Sequence, residues 1–280
     1  MYVVDSSNTL RSFDVNGNSL QQRQFNSALG YLNGGMTLAM GLVYATWAKP
    51  DGAGGGVFAF DARTLRQVRL HLSAFTVDAA SGPGTLQGIA FDAHQNRFYV
   101  ATQRLGLLAF NSFGVYIPRD PQSTSSVAAV AYDSSQHSLW AIVDRHAVAQ
   151  FSEESGTSLP GIPAKGAPYR HARGPLAVAY CAASDGGSAP NAIAVAFGGT
   201  EAGSDAAGAG QSYDAAGKPL GSLYGAKIIN PHGMSCSSRG EVFIAADNGL
   251  LEYTLQGAVL RPPGDMQGLS SPIYGVLAVY

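Results

Sequence analysis

Residues 86–117, LQGIAFDAHQNRFYVATQRLGLLAFNSFGVYI, fall into short runs of alternating large and small apolar residues, each closed by a cluster of turn residues. A period of two over four to eight residues, punctuated by Asp, Asn, Gln and Gly, predicts four consecutive β-strands joined by tight turns. Residues 126–156, SVAAVAYDSSQHSLWAIVDRHAVAQFSEESG, repeat that order, as do residues 35–72 and residues 231–262. Residues 174–225 give a further copy, stretched by two Gly/Ala/Ser-rich insertions. The ends of the chain supply the remainder. SPIYGVLAVY reads as a first strand with nothing after it, and MYVVDSSNTLRSFDVNGNSLQQRQF as strands two to four with nothing before them.

A four-stranded unit repeated along the chain, with one unit shared between the two ends, predicts a closed ring rather than a linear stack, because closure removes the exposed sheet edges. The expected fold is all-β: a six-bladed β-propeller with four antiparallel strands per blade, spanning 1–280 as a single domain. Its last blade is completed by the C-terminal strand joining the N-terminal strands. The first strands align on Met36, Ile89, Val130, Val178, Met234 and Val276, about 40 to 56 residues apart. Small residues precede most of them (Gly35, Gly88, Ala129, Ala177, Gly233 and Gly275), as expected where strands crowd an axis.

Composition narrows the functional classes. With 46% hydrophobic and 13% charged residues, the chain can bury a core and does not match a disordered segment. The balance of 17 basic against 19 acidic residues gives no surplus with which to neutralise phosphates, so nucleic acid is not an expected partner. No apolar run is long enough to span a membrane as a helix. The first residues carry neither a basic nor an apolar leader region, so no signal peptide is expected within this chain.

PHGMSCSSRGEVFIAADNGLLEY is similar to an NHL-type blade, and LQGIAFDAHQNRFYVAT and MYVVDSSNTLRSFDVNG show the same strand-turn-strand pattern. The chain thus resembles six-bladed propellers of the NHL or YncE-like kind over essentially its whole length, and WD dipeptides are absent. That resemblance implies a scaffold shared by binding proteins, lactonases and lyases, so function has to be argued from the site. The PHG at His232 resembles the metal-binding positions of peptidyl-hydroxyglycine amidating lyases, which place histidines on several blades. The matching positions here are Gln87, Ala128, Leu176 and Tyr274, so three imidazoles do not assemble there. Gluconolactonase-like propellers hold a divalent ion with a different acid and amide set, which these entrances also lack.

In a propeller, the residues before each first strand and the turns after each second strand surround one mouth of the axial channel. His232, Tyr274 and Gln87 are expected there. His232 with Asp247, Glu201 and Asp5 makes an oxygen-rich set suited to a divalent cation, calcium or magnesium. Arg104, Arg145 and His146, with Arg170 and Arg173 from the connection PGIPAKGAPYRHARGP, suggest a basic arc able to hold a carboxylate, sulfate or phosphate. Trp47 is a candidate stacking platform for a sugar ring, with packing against a neighbouring blade as its plainer role. Trp140 reads as core. No hydrolase serine elbow and no phosphate-binding loop is present.

The expected function is therefore recognition of a small anionic or carbohydrate ligand, or of a protein segment, at the channel mouth. A metal-assisted lactonase or lyase centred on His232 is the alternative. Cys181 and Cys236 fall near equivalent points of adjacent first strands. Because inner strands of neighbouring blades usually splay apart, two buried thiols are expected, with a bridge as the alternative. Low lysine content and the precedent of similar propellers favour a secreted or periplasmic location.

Overall fold

The computed structural model describes all residues except 29, 52–53, 71–73, 76–84, 119–125, 155–157, 163–172, 183–190, 199–207, 222–223, 225–226, 262–265, 267 and 280. Among the described residues there are strands and turns and no helix. The strands form six antiparallel sheets. Blade 1 pairs Ile273–Leu277 with Tyr2–Asp5, Thr9–Phe13 and Ser19–Gln24. Blade 2 follows with Tyr31–Ala39, Leu42–Ala48, Gly55–Asp61 and Gln67–Val68, and blade 3 with Leu86–Asp92, Arg97–Thr102, Gly106–Asn111 and Tyr116–Ile117. Val127–Asp133, Ser138–Val143, Ala147–Ser152 and Ser158–Ile162 make blade 4. Blade 5 has Arg173–Cys181, Ala192–Gly198 and Ala209–Tyr213, continued by a bridge between Tyr213 and Pro219. Gly233–Cys236, Glu241–Ala246, Gly249–Thr254 and Val259–Arg261 complete blade 6. The inner strands touch in this order and the last returns to the first, so the chain is a six-bladed β-propeller. Blade 1 is closed as expected, with Val3 opposite Val276 and Tyr2 opposite Leu277.

The alternating pattern has its physical counterpart in the seams. Each pair of neighbouring blades encloses its own apolar cluster, six in all. Trp140, in the seam between blades 4 and 5, is 1% exposed and donates from its indole to Asp133 Oδ2 at 3.4 Å. The seam between blades 5 and 6 is lined by Ala177, Ala192, Ala194 and Ala196 on one side. The space left by these small residues is filled by Tyr224 stacked on Tyr253, with ring centroids 4.6 Å apart. Burial pushes the Tyr224 phenol well above its usual range, so it stays a neutral donor or acceptor toward Ser212 Oγ at 2.8 Å.

Turn chemistry explains why the punctuation was readable. Asp14, Asp61, Asp92, Asn111, Asp133 and Asp214 each accept hydrogen bonds from backbone N–H groups two to four residues on. These Asx turns satisfy donors that the sheet ladder leaves unpaired. Hydrogen bonds from Asn18, side chain first, hold the Asp14 carboxyl below its usual range, and those from Thr64 do the same for Asp61.

The cysteines differ from expectation. Cys181 and Cys236 form a disulfide, with Cα atoms 5.1 Å apart. They are the last residues of the inner strands of blades 5 and 6, which stay in contact rather than splaying apart.

Candidate functional site

Where the inner strands enter the ring, their pairing with the second strand is broken by register shifts. These lie between Leu32 and Met36, Leu86 and Ile89, Val127 and Ala129, and Arg173 and Ala177, with a further shift between Val4 and Asp5 opposite the blade 1 inner strand. A bulge bends a strand and re-aims its side chains. The positions expected at the channel entrance, Gly34, Gln87, Ala128 and Leu176, all fall inside these irregular stretches. Around the axis Gly34, Gly35, Gly88, Ala128, Ala129 and Gly233 leave a bore of about 50 Å³, room for roughly one or two waters.

Above the bore lies a cavity of about 570 Å³, lined by Gln87, Gln103, His232 and Tyr274, with Ser6, Asn8, Tyr31, Asn33, Pro50 and Thr85 contributing. It shares Gln87 and Gln103 with a second pocket of about 320 Å³, whose other walls include Arg104, Arg145 and Ser126. The structure thus brings together His232, Tyr274, Gln87, Arg104 and Arg145 at one mouth. Both arginines are exposed. Arg145 is displayed by a two-residue left-handed turn, with φ of 51° at Asp144 and 54° at Arg145. His146 is in the same turn and its Nδ1 lies against the Asp144 carbonyl.

His232 is oriented twice over. Its Nε2 lies 2.7 Å from Asp247 Oδ1, and the Tyr274 ring packs edge-on to the imidazole at 5.3 Å. Asp247 Oδ2 accepts from Asn230 Nδ2 at 2.7 Å. The carboxylate fixes the imidazole through Nε2 and leaves Nδ1 as its remaining ring nitrogen.

Other polar residues of the entrance segments and turns, Asp5 among them, are spent internally. Asp5 is fully buried and bonds Ser7 N at 3.0 Å and Arg11 Nε at 2.9 Å, so it does not join His232 and Asp247. Asn8 clamps Gly30 and Leu32, accepting from Leu32 N at 2.8 Å, and Asn33 bridges Leu86 O and Thr46. Asp144 accepts from Ser126 N and Asn248 from Ile229 N, so each holds the chain entering its own blade. Trp47 is stacked on Phe58 at 5.3 Å, in the seam between blades 1 and 2, and is not among the residues lining the cavity. Arg173 begins the blade 5 inner strand. Arg170 and Glu201 lie outside the described residues. Gln103, in the same turn as Arg104, lies where the repeat alignment puts it, whereas Tyr31 and Thr85 were less visible from sequence, although they immediately precede the irregular stretches of their inner strands.

No protein-family model matches the chain, and neither does any curated protein. Among the described residues, no helix is long and apolar enough to cross a membrane.

Proposed function

We propose that this propeller is a recognition module that binds a small anionic ligand, a sugar acid or a carboxylate-bearing segment of a protein, at the channel mouth. The supporting observation is the pair of communicating pockets: a cavity lined by Gln87, Gln103, His232 and Tyr274, opening onto Arg104 and Arg145. The cavity volume suits a mono- or disaccharide-sized group. In this reading the amides and the Tyr274 hydroxyl orient the neutral part of the ligand, while the arginines pair with its carboxylate. The NHL or YncE-like relationship and a secreted or periplasmic setting belong to the same proposal, and the Cys181–Cys236 bridge favours an oxidising compartment.

Calorimetric titration with uronic acids and their neutral parent sugars tests it. The acids are expected to bind more tightly, with affinity falling as salt is raised. Arg145→Ala removes one charge-assisted contact, and a loss of about ten- to hundredfold is expected. Equal affinity for acid and neutral sugar, or an unchanged salt dependence in Arg145→Ala, would overturn the anionic reading.

The His232–Asp247 pair favours one second reading, a lactonase or lyase in which His232 acts as base. Turnover of lactone or uronide substrates that is abolished by His232→Ala would support it. Chelator sensitivity of that turnover would separate a metal-assisted route from a metal-free one.

A further inference from the structure

On the face opposite the mouth, blades 3 and 4 bring their first turns together. His94 lies in the turn after the blade 3 inner strand and His137 in the matching turn of blade 4, and their rings are 4.4 Å apart. Glu153, which follows the third strand of blade 4, points between them. Its Oε1 is 3.2 Å from His94 Nδ1 and 3.7 Å from His137 Nδ1. One ligand atom from each of the three residues lies within 4.8 Å of the others.

The carboxylate is held in place from beneath. The Glu153 side chain is 2% exposed, and its Oε2 accepts from the Tyr132 hydroxyl at 2.9 Å. That hydroxyl also lies 3.3 Å from His137 Nδ1, and Asp92 Oδ2 is enclosed with no hydrogen-bond partner. Two buried acidic side chains, Glu153 and Asp92, thus lie beside the pair of imidazoles. The imidazoles are half open to solvent, with side chains 62% and 51% exposed, so an ion placed between them could be reached from outside and could retain a water.

We propose that His94, His137 and Glu153 form a binding site for a divalent transition-metal ion, zinc by preference, at the seam between blades 3 and 4. Two imidazoles and one carboxylate are a donor set suited to zinc, and a fourth position is left for water. Ligands on a tetrahedral ion with bonds of about 2.0–2.1 Å lie roughly 3.3–3.4 Å apart. The observed separations from Glu153 Oε1 bracket that value. The Asp133 turn supports the His137 side of the site, its carboxylate accepting from Ser135 N at 2.9 Å. Tyr132 serves as the outer partner that orients the ligating carboxylate. This site is independent of the mouth and of what binds there.

The test is titration of chelator-treated whole protein with zinc chloride by calorimetry, with cobalt(II) chloride as a spectroscopic probe. One equivalent is expected to bind with micromolar affinity or tighter, and cobalt should give the visible bands of a low-coordinate nitrogen and oxygen site. His94→Ala and His137→Ala change exposed side chains and should fold normally, yet weaken zinc by at least about tenfold. Glu153→Gln should do the same where circular dichroism shows it folded. Absence of binding at 100-fold the protein concentration would overturn the proposal. So would zinc affinity unchanged in both histidine variants, or lost only in His232→Ala.

Discussion

Gly34→Ala is expected to lower the stability of the propeller by about 3–5 kcal/mol and its melting midpoint by roughly 10 °C. Two costs combine. Gly34 has φ of +94°, a conformation that side-chain-bearing residues rarely adopt, and a Cβ built there would overlap the Tyr274 carbonyl of the neighbouring inner strand. The neighbour cannot yield by turning a side chain, because the obstructing atoms are backbone. Gly275 faces Gly34 in the same way, so the two strands are close on both sides. Gly41→Ala separates the two costs. Gly41 also has positive φ, +75°, but nothing lies within 4 Å of an added Cβ, so only the conformational cost of about 1 kcal/mol applies. Urea midpoints of the two variants decide the matter. If Gly34→Ala were no worse than Gly41→Ala, the close approach of strands at the axis would be wrong.

Loss of the Cys181–Cys236 bridge should have a comparable effect. The bridge closes a loop with a sequence separation of 55, and constraining the unfolded chain over that length is worth about 4 kcal/mol in the chain-entropy model. Its location adds to the effect. It ties blade 5 to blade 6 across a seam whose blade 5 side is lined with alanines, each burying less apolar area than the Val, Ile and Phe of other seams. The double variant Cys181→Ser with Cys236→Ser should therefore unfold at lower denaturant than wild type, and reductant should shift wild type toward it. Thiol labelling of the untreated native protein is expected to find no free cysteine. Two labelled thiols would restore the reduced pair that strand splay implies.

The architecture could be read from the sequence because each repeat is marked by residues whose role is local. An Asp that closes an inner strand caps its own turn, as Asp92 and Asp133 do, and alternation within a strand reports which face is buried. The site was only partly legible, for a reason that Asn8, Asn33, Asp144 and Asn248 make concrete. The same residue types make good ligands and good turn clamps, and only the folded geometry shows that these four hold the incoming chain. His232 and Tyr274 were found because the repeat alignment fixed their height on the axis. Asp5 was placed beside them by the same alignment, but its carboxylate turns inward to Arg11 and Ser7. His94 and His137 stand in matching turns, visible in FDAHQN and YDSSQH, on the face opposite the one where a propeller ligand is first sought. Their common partner Glu153 is remote in sequence from His94, and nothing in its local pattern announces burial.

The pairing that closes blade 1 also sets a direction. Tyr2 stands opposite Leu277, and Leu277 lines a further cavity, shared with Phe91, Tyr132 and Ser237, on the far side of the bore from His232. Both ends of the strand pair therefore leave the ring on the face away from the mouth. A tether joined beyond the exposed Val279 would depart from that side and leave the mouth open, whereas Met1 is buried there with its amino group donating to the Phe13 carbonyl at 2.9 Å. A surface used to immobilise the protein through the strand Ile273–Leu277 and the residues after it would present the mouth outward.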